Sequence, residues 1–443
     1  MPTSRRQFLT TSAALGACAF ARSISPALAA PPRLLPASQG RRVVVVGGGW
    51  GGLATARHLR AQAPELEVVL LEQAPAFWSN PLSNQWLAGL VEENLLIHDY
   101  QAAARAFGYT FIQARVEAVE RDRRQLATNH GPVDYDWLVL AAGIRHDYAA
   151  WFGADRGAAE HARQAYPCAF TTRDESAALK AKLARFAGGE LVMTLPPMPY
   201  RCPPTPFERA SLIGGWIKAG RIKGHLTVLD PNPGGLSFRK LFADQYPEQI
   251  SYVSDARIRA VDPYARKITT DFDEYRFDHA ILMPPQQAGD LLWQADLIGR
   301  DRDGAATGWA EVEPLSLQAR GDSRVFVVGD ALGNVSPLFG AYPKSGHMAC
   351  RQGRIVAHQI AARARGEEPP RMLPESVCFV LRNFAPQELV RIEARYRLRG
   401  DGLIQQTISQ TTDPNPQGED RQWAGALFQE ILGHAPPAPP GPT

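Results

Sequence analysis

The chain has 443 residues, 45% of them hydrophobic and 21% charged, with a formal net charge of +3. That length corresponds to two or three domains, and the composition is that of a globular chain able to bury a large core. An N-terminal segment holding Arg5, Arg6 and Arg22 and no acids carries the whole excess, so the rest is formally neutral and is excluded as a strongly basic nucleic-acid binder.

Ser4-Arg5-Arg6-Gln7-Phe8-Leu9, a weakly apolar run from Phe8 to Ala21 and the small-residue site Ala27-Leu28-Ala29 read as a twin-arginine export signal over residues 1–29. The apolar run is shorter than the roughly 20 residues of a membrane span. Export of a folded protein suits a chain that loads its cofactor in the cytoplasm and works in the periplasm. Cys18 leaves with the signal, and Cys168, Cys202, Cys350 and Cys378 remain. In an oxidising compartment these permit three pairings, among which the sequence does not choose.

After a Pro/Ala/Ser-rich leader, Arg42-Val43-Val44-Val45-Val46 predicts a buried parallel strand. Gly47, Gly49 and Gly52 follow in G-x-G-x-x-G spacing, then helical apolar spacing from Leu53 to Ala63 and a strand over Val68–Leu71 closed by Glu72. Glycines at that spacing let the backbone approach a pyrophosphate at a helix N-terminus, and an acid about 20 residues on suits ribose hydroxyls. A second unit is predicted from the strand Leu191–Thr194, through Leu226–Asp230, to His279–Met283. Where its glycine loop would fall stands Arg201-Cys202-Pro203-Pro204-Thr205-Pro206-Phe207-Glu208. One intact loop and one replaced by a cysteine, prolines and a glutamate predict one bound dinucleotide, no nicotinamide site, and thiol chemistry.

Three further features bear on that chemistry. The strand over Arg324–Val328 ends in Gly329-Asp330, where an acid after a late strand suits the ribityl chain of FAD rather than NAD. Thr205-Pro206-Phe207-Glu208 predicts a capping box, with Thr205 as the cap and Glu208 closing it. The same helix start favours a thiolate at Cys202, and Glu208 could handle its proton. Pro343-Lys344-Ser345-Gly346 predicts another helix start, at which Lys344 either adds charge toward a flavin or lies on the surface. Cys168 and Cys350 read as buried.

These segments resemble the flavoprotein subunit of flavocytochrome c sulfide dehydrogenase over about residues 40–430. The resemblance is carried by the glycine loop, Pro81-Leu82-Ser83-Asn84, Arg201–Ser211, Pro284–Gly289, Val328–Ala331 and Pro343–Gly346. It implies a glutathione-reductase-like α/β fold with two Rossmann-like domains and a C-terminal α+β domain. The FAD domain would span 38–150 and 292–365, the second 151–291 and the C-terminal one 366–433, with a disordered tail over 434–443. It implies that Cys202 and Cys378 form a redox disulfide beside the flavin, with Cys378 the flavin-proximal sulfur and Glu208 the active-site acid. The partner is expected to be a c-type cytochrome subunit, and the haem lies on that chain because this one has no C-x-x-C-H. Two departures stand out. Asn80 occupies the position of the family's flavin-linking cysteine and cannot form a thioether, so FAD is expected to be non-covalent. Cys168 lies near the place where the related sulfide:quinone oxidoreductases carry a third cysteine. A quinone-reducing enzyme and a non-catalytic FAD electron-transfer or sulfur-carrier subunit are the rival readings.

Overall fold

The computed structural model describes residues 32–234 and 236–434, so the export signal and nearly all of the C-terminal tail lie outside the described residues. The valine run forms strand β1 (Arg42–Val46), with Val43, Val44 and Val45 fully buried. A strand covered on both faces has no need of alternating polarity, and β-branched residues suit its pleat. Helix α1 (Trp50–Gln62) follows the glycine loop and leads to β2 (Glu67–Glu72). Beyond the short helix α2 (Ser83–Leu87) come β3 (Thr110–Gln113) and β4 (Trp137–Leu140).

The second unit begins at β5 (Gly189–Thr194). Helix α3 (Thr205–Ala219), β6 (Gly224–Leu229), β7 (Ile250–Val253) and β8 (His279–Ile281) complete it. The chain then returns to the first sheet with β9 (Val325–Val327), followed by helix α4 (Gly346–Ala364). A C-terminal layer closes the molecule: β10 (Ser376–Asn383), β11 (Glu388–Leu398), β12 (Ile404–Asp413) and helix α5 (Glu419–Leu432).

Two parallel sheets result, in the orders β9-β4-β1-β2-β3 and β7-β6-β5-β8, beside the antiparallel sheet β10-β11-β12. The protein is α/β, with two dinucleotide-binding Rossmann domains of glutathione-reductase type and a C-terminal antiparallel layer. Two antiparallel meanders, over 116–134 and 258–276, add strands that the sequence reading did not foresee. Their short, charged strands carry too weak an alternation to stand out.

The strand order positions the site. Because β1, β2, β4 and β9 run parallel, the segments after them emerge at the same edge of the sheet. These segments carry the glycine loop, Glu72, Gly143 and Asp330, and the crevice at such an edge is where open α/β sheets take ligands.

Candidate active site

A cavity of about 610 Å³ opens at that edge. It is lined by Gly49, Glu72, Asn80, Gly329, Asp330 and Lys344 from the first domain, and by Cys202, Glu208 and Cys378 from the other two layers. The residues singled out in sequence thus gather around one space, except Gly47 and Gly52, which shape it from behind.

Those two glycines are needed for close approach. Gly47 has φ +101°, and a Cβ on it would sit 2.4 Å from the Ala141 carbonyl oxygen. A Cβ on Gly52 would sit 1.8 Å from the Gly47 carbonyl oxygen. The turn closes only without side chains there. A Cβ on Gly49 meets nothing within 4 Å, because that face of the loop looks into the cavity. The Glu72 carboxylate accepts from Gly48 N at 2.7 Å and Ala74 N at 2.8 Å, which fixes it at the mouth of the loop.

The donor set fits a flavin dinucleotide. Gly49 leaves room for a pyrophosphate at the start of α1, and Glu72 retains lone pairs for ribose hydroxyls. Asp330 supplies the sharpest sign. Its Oδ2 pairs with Arg201 Nε at 2.6 Å, while Oδ1 is buried without a protein partner. A buried carboxylate oxygen is costly to leave unpaired, and a ribityl hydroxyl would donate to it.

Lys344 is neither on the surface nor free to serve as a simple charge at the cavity. Its ammonium donates to the carbonyls of Asp330 at 2.8 Å and Leu332 at 2.5 Å, and lies 3.7 Å from the centre of the Trp309 ring. Burial pushes its pKa down to about 7. The residue fastens the turn that presents Asp330. Ser345 caps α4, accepting from Met348 N at 3.3 Å.

The replaced loop, Leu195–Pro204, bends into the same cavity. Cys202 N donates to the Lys344 carbonyl at 2.6 Å, and Thr205 N donates to the Cys202 carbonyl at 2.8 Å. Between these bonds Cys202 is held at φ +46°, a left-handed conformation that non-glycine residues seldom adopt. Arg201 ties the loop to the first domain through Asp330 and donates to the Phe170 carbonyl at 2.7 Å.

Cys378, on β10, comes alongside Cys202, and both are thiols here. The Cys378 thiol donates to the Phe379 carbonyl at 3.8 Å. The interaction between the two sulfurs lowers the pKa of Cys202 and, with burial, raises that of Cys378 well above the usual thiol value, which favours the charge on Cys202.

Glu208 departs from the expected capping box. Helix α3 begins at Thr205 with Pro204 as its cap residue and no side-chain cap bond. With Thr205 already helical, Glu208 does not fold back to the helix start. Its Oε1 accepts from Leu381 N at 2.8 Å, the free edge of β10, and its Oε2 accepts from Asn84 Nδ2 at 2.7 Å. Burial drives its pKa up to about 7 despite both donors. A carboxyl at that value can take or give a proton near neutrality.

Several participants were missed in sequence. Asn84 belongs to a segment that was noted without a role. Cys168 is buried as expected, but it sits in a closed set with two partners: its thiol donates to Glu175 Oε1 at 2.8 Å, and His146 Nε2 lies 3.2 Å from its sulfur. Glu175 also accepts from Phe170 N and Thr171 N, and so braces the segment that walls the cavity. Cys350 is fully buried in α4.

Comparison with known proteins narrows the chemistry. Residues 41–185 match the pyridine nucleotide-disulphide oxidoreductase family. Residues 176–284 match the family described as sulfide dehydrogenase (flavocytochrome c) flavoprotein chain, central. A sulfide-quinone reductase of Aquifex aeolicus is 22% identical over 78% of the chain and 81% of its own length. A type II NADH:quinone oxidoreductase of Staphylococcus haemolyticus is 26% identical over 72% of the chain and 82% of its own. The crystal structure of the Aquifex aeolicus sulfide:quinone oxidoreductase superposes with a TM-score of 0.70 at 20% identity, covering 90% of this chain and 93% of that one. Together these place the protein among FAD-dependent disulphide oxidoreductases of the sulfide-oxidising type.

Proposed function

We propose that this protein is a periplasmic sulfide dehydrogenase that passes electrons to a c-type cytochrome. The observation that carries the reading is the Cys202/Cys378 pair at the wall of the dinucleotide cavity, with the Glu208 carboxyl beside it. FAD, held without a covalent link by the glycine loop, Glu72 and Asp330, supplies a two-electron acceptor that can release electrons singly. Asn80 lines the cavity and offers a carboxamide where a thioether would need a thiol.

The residues define the thiol steps. In the oxidised pair, hydrosulfide attacks one sulfur of the Cys202–Cys378 disulfide. The S–S bond breaks, the attacked cysteine becomes a persulfide, and the other leaves as a thiolate. The family resemblance makes Cys378 the flavin-proximal sulfur, so Cys378 is the departing thiolate and Cys202 carries the sulfane sulfur. Glu208 takes the proton released from the incoming sulfur. The cytochrome acceptor is supported by the match over residues 176–284, and the export signature read at Arg5-Arg6 is consistent with it.

The quinone alternative draws on the Aquifex aeolicus relative. Among the described residues no helix is long and apolar enough to cross a membrane. The deciding experiment supplies the purified flavin-loaded protein with sulfide and either oxidised c-type cytochrome or a water-soluble quinone. Cytochrome reduction that requires both sulfide and Cys202 supports the proposal. Turnover with quinone alone would replace it, and flavin content without turnover on either acceptor would favour the carrier reading.

A further inference from the structure

Among the described residues the Glu208 carboxyl accepts two hydrogen bonds, and their origins differ. One is a backbone N–H at the edge of β10, which mutation of a side chain cannot remove. The other comes from Asn84, a residue 2% exposed on the short helix α2 of the first domain. The Asn84 amide is committed at both ends. Its Nδ2 donates to Glu208 Oε2 at 2.7 Å and to the Thr205 carbonyl at 3.0 Å, and its Oδ1 accepts from Arg209 Nε at 3.0 Å. A flipped amide would set an oxygen against a carboxylate and an NH2 against a guanidinium, so the surroundings fix its orientation.

We propose that Asn84 is the positioning residue for the active-site acid: it holds the Glu208 carboxyl beside the thiol pair and sets the pH at which that carboxyl takes its proton. The inference rests on the reading of Glu208 given above. A donor to the charged form of a buried carboxyl favours that form, so loss of the amide moves the proton affinity of Glu208 upward. The other groups acting on Glu208 stay in place. Arg209, on the same helix, favours its charge, whereas Asp420 from α5 disfavours it. Cys202 and Cys378 feel the charge of Glu208 in turn.

The test uses the full-length, flavin-loaded protein and two variants. Asn84→Leu removes both the donor and the acceptor. Asn84→Asp keeps the shape and the Arg209 contact but places a second carboxyl against the first. One arm reads the pH profile of flavin bleaching by sulfide. The limb controlled by Glu208 is expected to move to higher pH by about one unit in Asn84→Leu, and further in Asn84→Asp. The second arm needs no turnover. It compares melting temperature against pH for each protein with its Glu208→Gln counterpart. The pH range over which that difference grows is expected to extend upward in both variants relative to wild type. A limb and a stability range that stay where they are, with only the rate or the melting temperature lowered, would show Asn84 to be mere packing and overturn the assignment. Wild-type flavin that ignores sulfide would sink the sulfide reading while the stability arm still decides the role of Asn84. If Asn84→Leu fails to fold, Asn84→Asp carries both arms.

Discussion

Gly47–Gly49 and Leu195–Pro204 stand at the same step of two similar units, each between a buried parallel strand and the helix that follows it. The first loop gives up side chains so that its backbone can pack and leave space, which the 1.8 Å clash at Gly52 and the open face of Gly49 both express. The second carries Pro196, Pro197, Pro199, Pro203 and Pro204 in place of glycines and delivers a thiol at φ +46°. One fold step therefore serves two ends. An empty backbone cradle suits a cofactor, whereas a stiff, strained loop suits a reactive side chain. Asp330 couples them, since its Oδ2 pairs with Arg201 of the second loop while the residue itself lines the cavity beside the first.

That contrast can be broken from either side. The largest effect is expected from Gly52→Val, whose branched side chain meets the Gly47 backbone. The purified variant should lose nearly all flavin absorbance relative to protein, and retained flavin would contradict the cradle. Cys202→Ser should show the reverse pattern, with flavin content unchanged and sulfide-dependent cytochrome reduction down at least a thousandfold. Activity within tenfold of wild type would remove the second loop from the chemistry. Asp330→Asn cuts the link between the loops and leaves Arg201 without its ion partner, which should cost about 3 kcal/mol in denaturant unfolding of the flavin-free protein. A loss under about 0.5 kcal/mol would mean that the pair behaves as an exposed one.

Glu208 sharpens the comparison through pH. Its carboxyl ionises near 4.5 in the unfolded chain and at about 7 when folded. The folded state therefore binds the extra proton between these values, and stability falls as pH rises through that window before levelling above it. Glu208→Gln should remove the decline and leave the variant more stable than wild type at pH 8. An unchanged slope in thermal melts from pH 5 to 8 would place the titration elsewhere. The smallest effect is expected from Ser345→Ala, which removes the cap of α4 at a cost of about 1 kcal/mol without altering the identity of any reacting group.

The first loop was legible in sequence because its information is local. A valine run, three glycines and an acid at fixed spacing say what the backbone must do. Cys202 was legible for the same reason, as a departure from that pattern. Glu208 was found but its partners were not: the Thr-Pro-Phe-Glu spacing satisfies a capping box on paper, whereas the actual partners lie 124 and 173 residues away, at Asn84 and Leu381. Lys344 was ambiguous because a lysine buried under Trp309 and tied to backbone carbonyls carries no local mark of burial. The His146–Cys168–Glu175 set was invisible for a similar reason, since its members meet only once a strand, a loop and a helix have packed.

The central claim is that the two loops act together on sulfide. It is tested most directly by mixing the flavin-loaded protein with sulfide anaerobically in a stopped-flow spectrometer. The account predicts bleaching of the oxidised flavin preceded by a long-wavelength charge-transfer band, and loss of both in Cys202→Ser at unchanged flavin content. Flavin that stays oxidised in the wild-type protein, or bleaches equally without Cys202, would contradict it.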